Sequence, residues 1–187
     1  MAIVRQGLTL EQFLALPEKK PALEYEDGVV TQKVAPKLGH GALQFQVSTL
    51  FNRYTLPRKL ALAVPELRTT FAGRSRVPDV AVVRWDRLLR LPDGRLADEP
   101  LGEPPLIAVE IRSPEQRRNA LVTRCTWYAS NGVALSLLVD SHDQSITAFP
   151  DGEPPRVLHG RDETDFGALL PGLRFVVDDV FEALRVD

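Results

Sequence analysis

Val77-Pro-Asp-Val-Ala-Val-Val83 and Leu106-Ile-Ala-Val-Glu-Ile111 decide the reading of this chain. Both are nearly continuous apolar runs rich in β-branched residues, the mark of central strands covered on both faces. Each carries one carboxylate where such a strand has little use for one: Asp79 and Glu110. A buried ionised carboxylate is costly unless it is paired or binds a metal. Taken singly, Asp79 reads as a strand-end residue after Pro78, and Glu110 as half of a structural ion pair with Arg112. Taken together, at the ends of neighbouring strands, they read as a divalent-metal site. Side chains alternate along a strand, so Ala108, Glu110 and Arg112 share one face. Pro-Asp and, one strand later, Glu-x-basic is the arrangement that metal-assisted phosphodiester chemistry needs. Two acids hold a hard ion through oxygen, and a nearby cation stabilises charge developing on the phosphate.

Helices surround these strands. Glu115 to Asn131 is expected to be helical, with Gly132 as its C-terminal stop, and at 100° per residue Arg117, Leu121, Arg124 and Tyr128 fall on one stripe. An inward Arg124 would reach the two carboxylates; a solvated arginine is the plainer alternative. Thr9 and Gln12 form a capping box before a short helix ending near Pro17, with Leu8 and Phe13 as a hydrophobic staple. Leu23 to Val30 reads as a hairpin around Asp27-Gly28. Leu43, Val47, Leu50, Phe51 and Tyr54 recur at helical spacing from Gly41 to about Tyr54. Leu60 to Phe71 reads as one strand, separated from the Val77–Val83 strand by Gly73-Arg-Ser-Arg76. Residues 86–105 read as a surface loop or short helix. Ala134–Val139 and Ser145–Phe149 read as a terminal hairpin, followed by an irregular tail to Asp187. Helices alternating with strands give an α/β (α+β) fold, and residues 1–187 read as a single domain.

Composition agrees. The chain has 187 residues, 44% hydrophobic and 26% charged, with 23 basic against 25 acidic residues and a formal net charge of −2. A chain of this size buries on the order of 70% of its unfolded surface, enough for a core without staples. Collagen, a disordered chain and a coiled coil are excluded. The slightly acidic balance excludes a polyanion binder held by bulk charge, so any nucleic-acid contact must come from a local basic patch. The single cysteine, Cys125, can form neither an intramolecular disulfide nor a cysteine cluster around zinc. With no signal-peptide core before Arg5 and no apolar stretch of about 20 residues, the expectation is a cytoplasmic protein without a membrane segment.

Five motifs occur in order: Leu8-Thr-Leu-Glu-Gln-Phe13; Leu23-Glu24-Tyr-Glu-Asp27-Gly28; Arg76-Val-Pro-Asp79-Val-Ala-Val-Val83; Val109-Glu110-Ile-Arg-Ser113-Pro114; and Trp127-Tyr128-Ala-Ser-Asn-Gly132-Val133. Together, from about Leu8 to Phe181, they resemble the bacterial Uma-two endonucleases, a branch of the PD-(D/E)XK, restriction-endonuclease-like superfamily. The resemblance implies a central mixed β-sheet flanked by helices, with a metal ion, magnesium or else manganese, held by Asp79 and Glu110. It makes Glu24 the candidate third acid, acting through water. His40 matches a histidine at the start of the family's next helix, and its plainer reading is a surface helix-start residue. His142 and His159 receive no role.

The chain departs from the pattern at the lysine. The superfamily expects it two residues after the strand glutamate, at Arg112; this branch places it on the next helix, at Arg124. Arginine stays protonated and cannot act as a general base near neutral pH, yet it can neutralise phosphate charge. Arg112 or Arg124 is therefore expected to stabilise charge. Arg74, Arg76, Arg117 and Arg118 are candidate phosphate contacts, which position a duplex without reading its sequence; their plainer reading is as solvated charges. The functional expectation is a metal-dependent endonuclease acting on DNA. A homo-oligomer, most simply a two-fold dimer, is expected because it cuts both strands. The alternative is a nuclease-fold protein that binds nucleic acid or a protein partner without cutting.

Overall fold

The computed structural model describes residues 2–185. The chain opens with strand β1 (Ala2–Gln6) and a short helix α1 (Leu10–Leu14), whose N-cap Thr9 and Gln12 make the capping box their spacing suggests. The Asp27-Gly28 turn joins β2 (Leu23–Glu26) to β3 (Val29–Gln32) in the register a two-residue loop dictates, Glu26 facing Val29 and Glu24 facing Thr31. Asp27 and Gly28 both take positive φ, as the turn demands. Helix α2 (Leu38–Thr55) begins three residues before the Gly41 expected from periodicity and buries Leu43, Val47 and Phe51. It is followed by β4 (Ala61–Pro65), β5 (Thr69–Phe71), β6 (Arg74–Arg76) and β7 (Val80–Arg84). A 3-10 turn at Trp85–Arg87 leads into the long loop before β8 (Ile107–Arg112).

Helix α3 (Arg118–Ala129), β9 (Leu135–Asp140) and β10 (Ser145–Pro150) come next. The remainder is β11 (Arg156–His159), β12 (Glu163–Asp165), β13 (Arg174–Val176) and α4 (Val177–Phe181). A six-stranded mixed sheet, ordered β11-β10-β9-β8-β7-β4, forms the centre. Within this sheet, among the described residues, β8 and β9 alone pair in parallel, joined by α3, because parallel neighbours need a crossover of that length. The remaining neighbours are antiparallel. A second sheet, β1-β3-β2-β6-β5, is antiparallel throughout.

The central sheet is covered on both faces, as the apolar runs require. Ile107, Val109 and Ile111 of β8 pack in the main core with Leu43, Val47 and Phe51 of α2 and with Phe166, Phe175 and Phe181. On the opposite face Ala108 packs with Tyr128, Val133 and Phe71, beside the α3 residues Leu121 and Cys125 on Leu138. Glu110 shares the parity of Ala108 and therefore emerges on the α3 side.

Three boundaries differ from the sequence reading. Leu60 to Phe71 is two strands in two sheets, because Glu66 takes a left-handed conformation (φ 52°) that no strand can contain. Helix α3 starts at Arg118 rather than near Glu115, since the Gln116 side chain accepts from the Ser113 N–H (2.9 Å) and closes a turn instead. The tail expected to be irregular contributes an edge strand, β11, a β12–β13 hairpin and helix α4; Phe166, Phe175 and Phe181 supply core that no periodicity announced. Val186 and Asp187 lie outside the described residues. Among the described residues no helix is long and apolar enough to cross a membrane.

Candidate active site

The antiparallel register of β7 and β8 brings the two strand carboxylates together. Val80 faces Val109 and Ala81 faces Ala108, so one step beyond the ladder Asp79 stands opposite Glu110. Asp79 Oδ2 accepts the Ile111 N–H at 2.7 Å, which fixes the carboxylate against β8. Both acids are almost fully buried, at 3% exposure each, and both line one solvent-open cleft of about 320 Å³. The cleft is also lined by Lys33, His40, Glu66, Ser113 and Arg124, with Lys37 and Glu115 forming an exposed ion pair in its wall.

Neither acid is free of a cation, and the two differ in which one they meet. Lys33, just beyond β3, donates to Asp79 Oδ1 at 2.8 Å, to Glu66 Oε1 at 2.9 Å and to the Val77 carbonyl at 2.9 Å. Burial works against the charged form of Asp79, but the Lys33 ammonium and the His40 ring outweigh it, and the carboxyl is held well below its usual range. Burial likewise opposes the Lys33 charge; Asp79, Glu110 and Glu66 overcome it and keep the ammonium protonated. Glu110 receives less support. Its Oε1 accepts the Tyr128 hydroxyl at 2.9 Å but lies 3.4 Å from Arg124 Nη1. Burial drives its pKa up to about 7, Arg124 opposes that rise, and the neighbouring Asp79 charge reinforces it.

Arg124 does turn inward, at 5% exposure, and its main partner is Glu24. The guanidinium donates through Nη1 to Glu24 Oε1 (2.9 Å) and through Nη2 to Oε2 (2.6 Å), a bidentate fork. Glu24 Oε1 also accepts the Val77 N–H at 2.8 Å. One guanidinium thus serves two carboxylates and serves Glu24 better: it overcomes burial at Glu24, whose pKa is lowered, but not at Glu110, where burial still raises it. Glu24 itself does not line the cleft.

The structure does not bring Arg112 to the acids. Although it shares a strand face with Glu110, its Nη1 donates to Asp140 Oδ2 (2.9 Å) and its Nε to the Gln116 carbonyl. Asp140 is its cross-strand neighbour on β9 and is fully buried. Of the candidate phosphate contacts, Arg74 pairs with Glu26 and Asp27, and Arg76 with Glu26, both stacked over Trp127. Arg118 donates to Thr147 and approaches Asp140, while Arg117 is exposed at the start of α3.

Three cleft residues had no part in the sequence reading of the carboxylate pair. Lys33 has the strongest contacts, and its position follows from the hairpin: it lies two residues past Thr31, which faces Glu24. Glu66 lies opposite Asp79 beyond the β4–β7 ladder, its N–H donating to the Asp79 carbonyl at 3.2 Å. Its left-handed backbone is a strained conformation of the kind that collects at functional sites. Gln44 of α2 fastens this corner, donating to Glu66 Oε1 (3.1 Å) and to the Asp79 carbonyl (2.7 Å). His40, placed at a helix start by its sequence, is turned into the cleft, Nδ1 at 3.1 Å from Ser113 Oγ and Nε2 at 3.4 Å from Asp79 Oδ1. Among the described residues, His40, Glu66 and Asp79 form a cluster whose ligating atoms all lie within 4.8 Å of one another. The nitrogen and carboxylate donors of this cluster, with Glu110 in the same cleft, fit a divalent cation.

A family profile described as "Putative restriction endonuclease", Uma2, matches residues 10–178. The chain belongs to the Uma2 family. Among solved structures, the Uma2 chain is similar to a protein from Anabaena variabilis described as "a putative nuclease belonging to DUF820". The two are 29% identical, the match covers 95% of this chain and 99% of the other, and the TM-score is 0.88. No curated protein matches the chain. The fold is therefore that of a restriction-endonuclease-like protein, a mixed sheet with helices on its faces.

Proposed function

We propose that this Uma2 chain is a divalent-metal-dependent endonuclease that hydrolyses phosphodiester bonds of DNA in the cleft between β7 and β8. The observation that carries the reading is the convergence of Asp79 and Glu110, from adjacent central strands, on one solvent-open cleft. The charge balance of the lining supports metal dependence. Four carboxylates (Glu66, Asp79, Glu110, Glu115) face three cations (Lys33, Lys37, Arg124), a net formal charge of −1 with histidine neutral. That cleft repels a phosphodiester; one dication reverses the sign. Asp79 and Glu110 would hold the ion, with His40 and Glu66 within reach of Asp79. A bound magnesium or manganese supplies Lewis acidity toward a phosphoryl oxygen and makes water a better nucleophile.

The chain's own residues do the rest. Asp79 is oriented by the Ile111 N–H and stays ionised. Glu110, whose pKa burial raises to about 7 in the metal-free chain, must give up its proton to ligate the ion, so the ion would bind more tightly as pH rises through neutrality. Arg124 neutralises charge behind Glu110 while held on Glu24. Tyr128 fixes the Glu110 carboxyl through its hydroxyl. The substrate is DNA, the enzyme works in the cytoplasm, and a two-fold dimer cuts both strands. The test is cleavage of plasmid and linear duplex DNA by purified protein with magnesium or manganese, alongside Asp79→Ala and Glu110→Ala. Cleavage by the wild type alone supports the reading. DNA binding without cleavage under either metal, surviving both substitutions, favours the rival reading of a non-cutting binder, which the engagement of Arg124 by Glu24 also favours.

A further inference from the structure

The cleft already contains a cation, and it is tethered to the chain. Lys33 follows β3, its N–H donating to the Ala22 carbonyl at 2.9 Å. An ammonium has three donors and no acceptor, and all three are used here: on Asp79 Oδ1, Glu66 Oε1 and the Val77 carbonyl, at 2.8–2.9 Å. The side chain is only 12% exposed. Two carboxylates and a backbone carbonyl are also the donors a hard divalent ion takes. Building on the proposed metal reading of this cleft, we propose that Lys33 occupies the Asp79 oxygen the divalent ion requires and the Glu66 oxygen beside it, so that ion binding is an exchange in which the Lys33 ammonium leaves Asp79 and Glu66.

Two contacts and one electrostatic argument support an exchange rather than coexistence. Asp79 Oδ2 is taken by the Ile111 N–H, which leaves Oδ1, the oxygen Lys33 holds, as the atom facing the cleft. Glu66 Oε1 is likewise the Lys33 partner. An ammonium and a dication sharing two oxygens at low local dielectric repel strongly. The cleft opens to solvent, and the four-carbon lysine stem is flexible enough to swing the charge outward. Lys33 thus keeps buried Asp79 paired in the metal-free protein and sets the ion concentration at which the site loads.

The test measures ion binding without any turnover. Manganese binding to the full chain is titrated by calorimetry for wild type, Lys33→Met, Lys33→Gln and Lys33→Arg. Methionine keeps the length of the stem without its charge; glutamine is a second neutral variant should methionine fold poorly. The expected result is manganese affinity at least about ten-fold tighter in the neutral variants, with Lys33→Arg close to wild type. Asp79→Asn should abolish binding in either background, which localises the ion. In the wild type, reductive methylation of Lys33, followed by mass spectrometry, should be slow without metal and accelerate several-fold with saturating manganese. Neutral variants that bind manganese no more tightly than wild type overturn the exchange, as does a Lys33 equally protected with and without the ion. Metal-dependent cleavage with unchanged Lys33 protection defeats the exchange alone. Exchange without cleavage defeats the nuclease reading alone.

Discussion

Replacing Glu110 by glutamine should stabilise the metal-free protein, and only at higher pH. In the folded chain Glu110 titrates at about 7 against an ordinary value of 4.5. The folded state therefore holds this proton over a range where the unfolded state has lost it, so stability falls as pH rises from about 4.5 to about 7. The gap of roughly 2.5 units, at 1.36 kcal/mol per unit, amounts to about 3 kcal/mol of destabilisation once both states are ionised. At pH 5 most of that cost is not yet felt. Glutamine removes the titration and keeps an oxygen for the Tyr128 hydroxyl. The stability difference between Glu110→Gln and wild type, in chelator, should thus be greater at pH 8 than at pH 5 by about 2 kcal/mol. For a chain of this size that is roughly 4–8 °C in Tm. Taking the difference between two pH values cancels any fixed packing effect of the amide. Thermal melts followed by circular dichroism provide the measurement. A variant whose advantage is equal at both pH values, or reversed, refutes the argument that burial and Asp79 leave this carboxylate short of positive charge.

Three further expectations follow from the same geometry. Arg124→Met should cost about 3–5 kcal/mol in urea denaturation, since it leaves Glu24 buried without its fork; adding Glu24→Gln should recover much of that loss, and a purely additive double mutant would count against the pairing. Asp79 and Glu24 both have lowered pKa values, so their contribution is present above pH 4–5 and lost as pH falls further; acid titration of wild type against Asp79→Asn should show the variant losing less stability below pH 4. Arg112→Ala should leave manganese affinity within about two-fold of wild type by calorimetry, because its guanidinium is spent on Asp140, whereas a large loss would place it in the cleft.

Much of this arrangement could be read before any coordinates. The paired apolar runs of β7 and β8 identified the central strands, and the alternation along β8 put Glu110 opposite the main core. The stripe of α3 carried Arg124 inward because its neighbours Leu121 and Tyr128 had to face the sheet. The same alternation misdirected Arg112: parity fixes a face but not a partner, and Asp140, brought alongside by the parallel β9, competes for the guanidinium. Lys33 was legible in principle. The Asp27-Gly28 turn fixes the hairpin register, Glu24 then faces Thr31, and two residues further on Lys33 returns to that face. Glu66 was not legible, since a polar residue after Pro65 gives no sign that the chain turns left-handed there and doubles back beside Asp79. The tail was missed for a similar reason: Phe166 lies just past a three-residue strand, Phe175 in another and Phe181 in a five-residue helix, all too brief to show a period.

The most direct measurement is a crystal soaked in manganese and examined by anomalous scattering. The expected result is a peak in the cleft within coordination distance of the Asp79 and Glu110 carboxylates, with the Lys33 ammonium displaced from Asp79. A cleft without a peak at saturating manganese, with Lys33 still bridging Asp79 and Glu66, would contradict it.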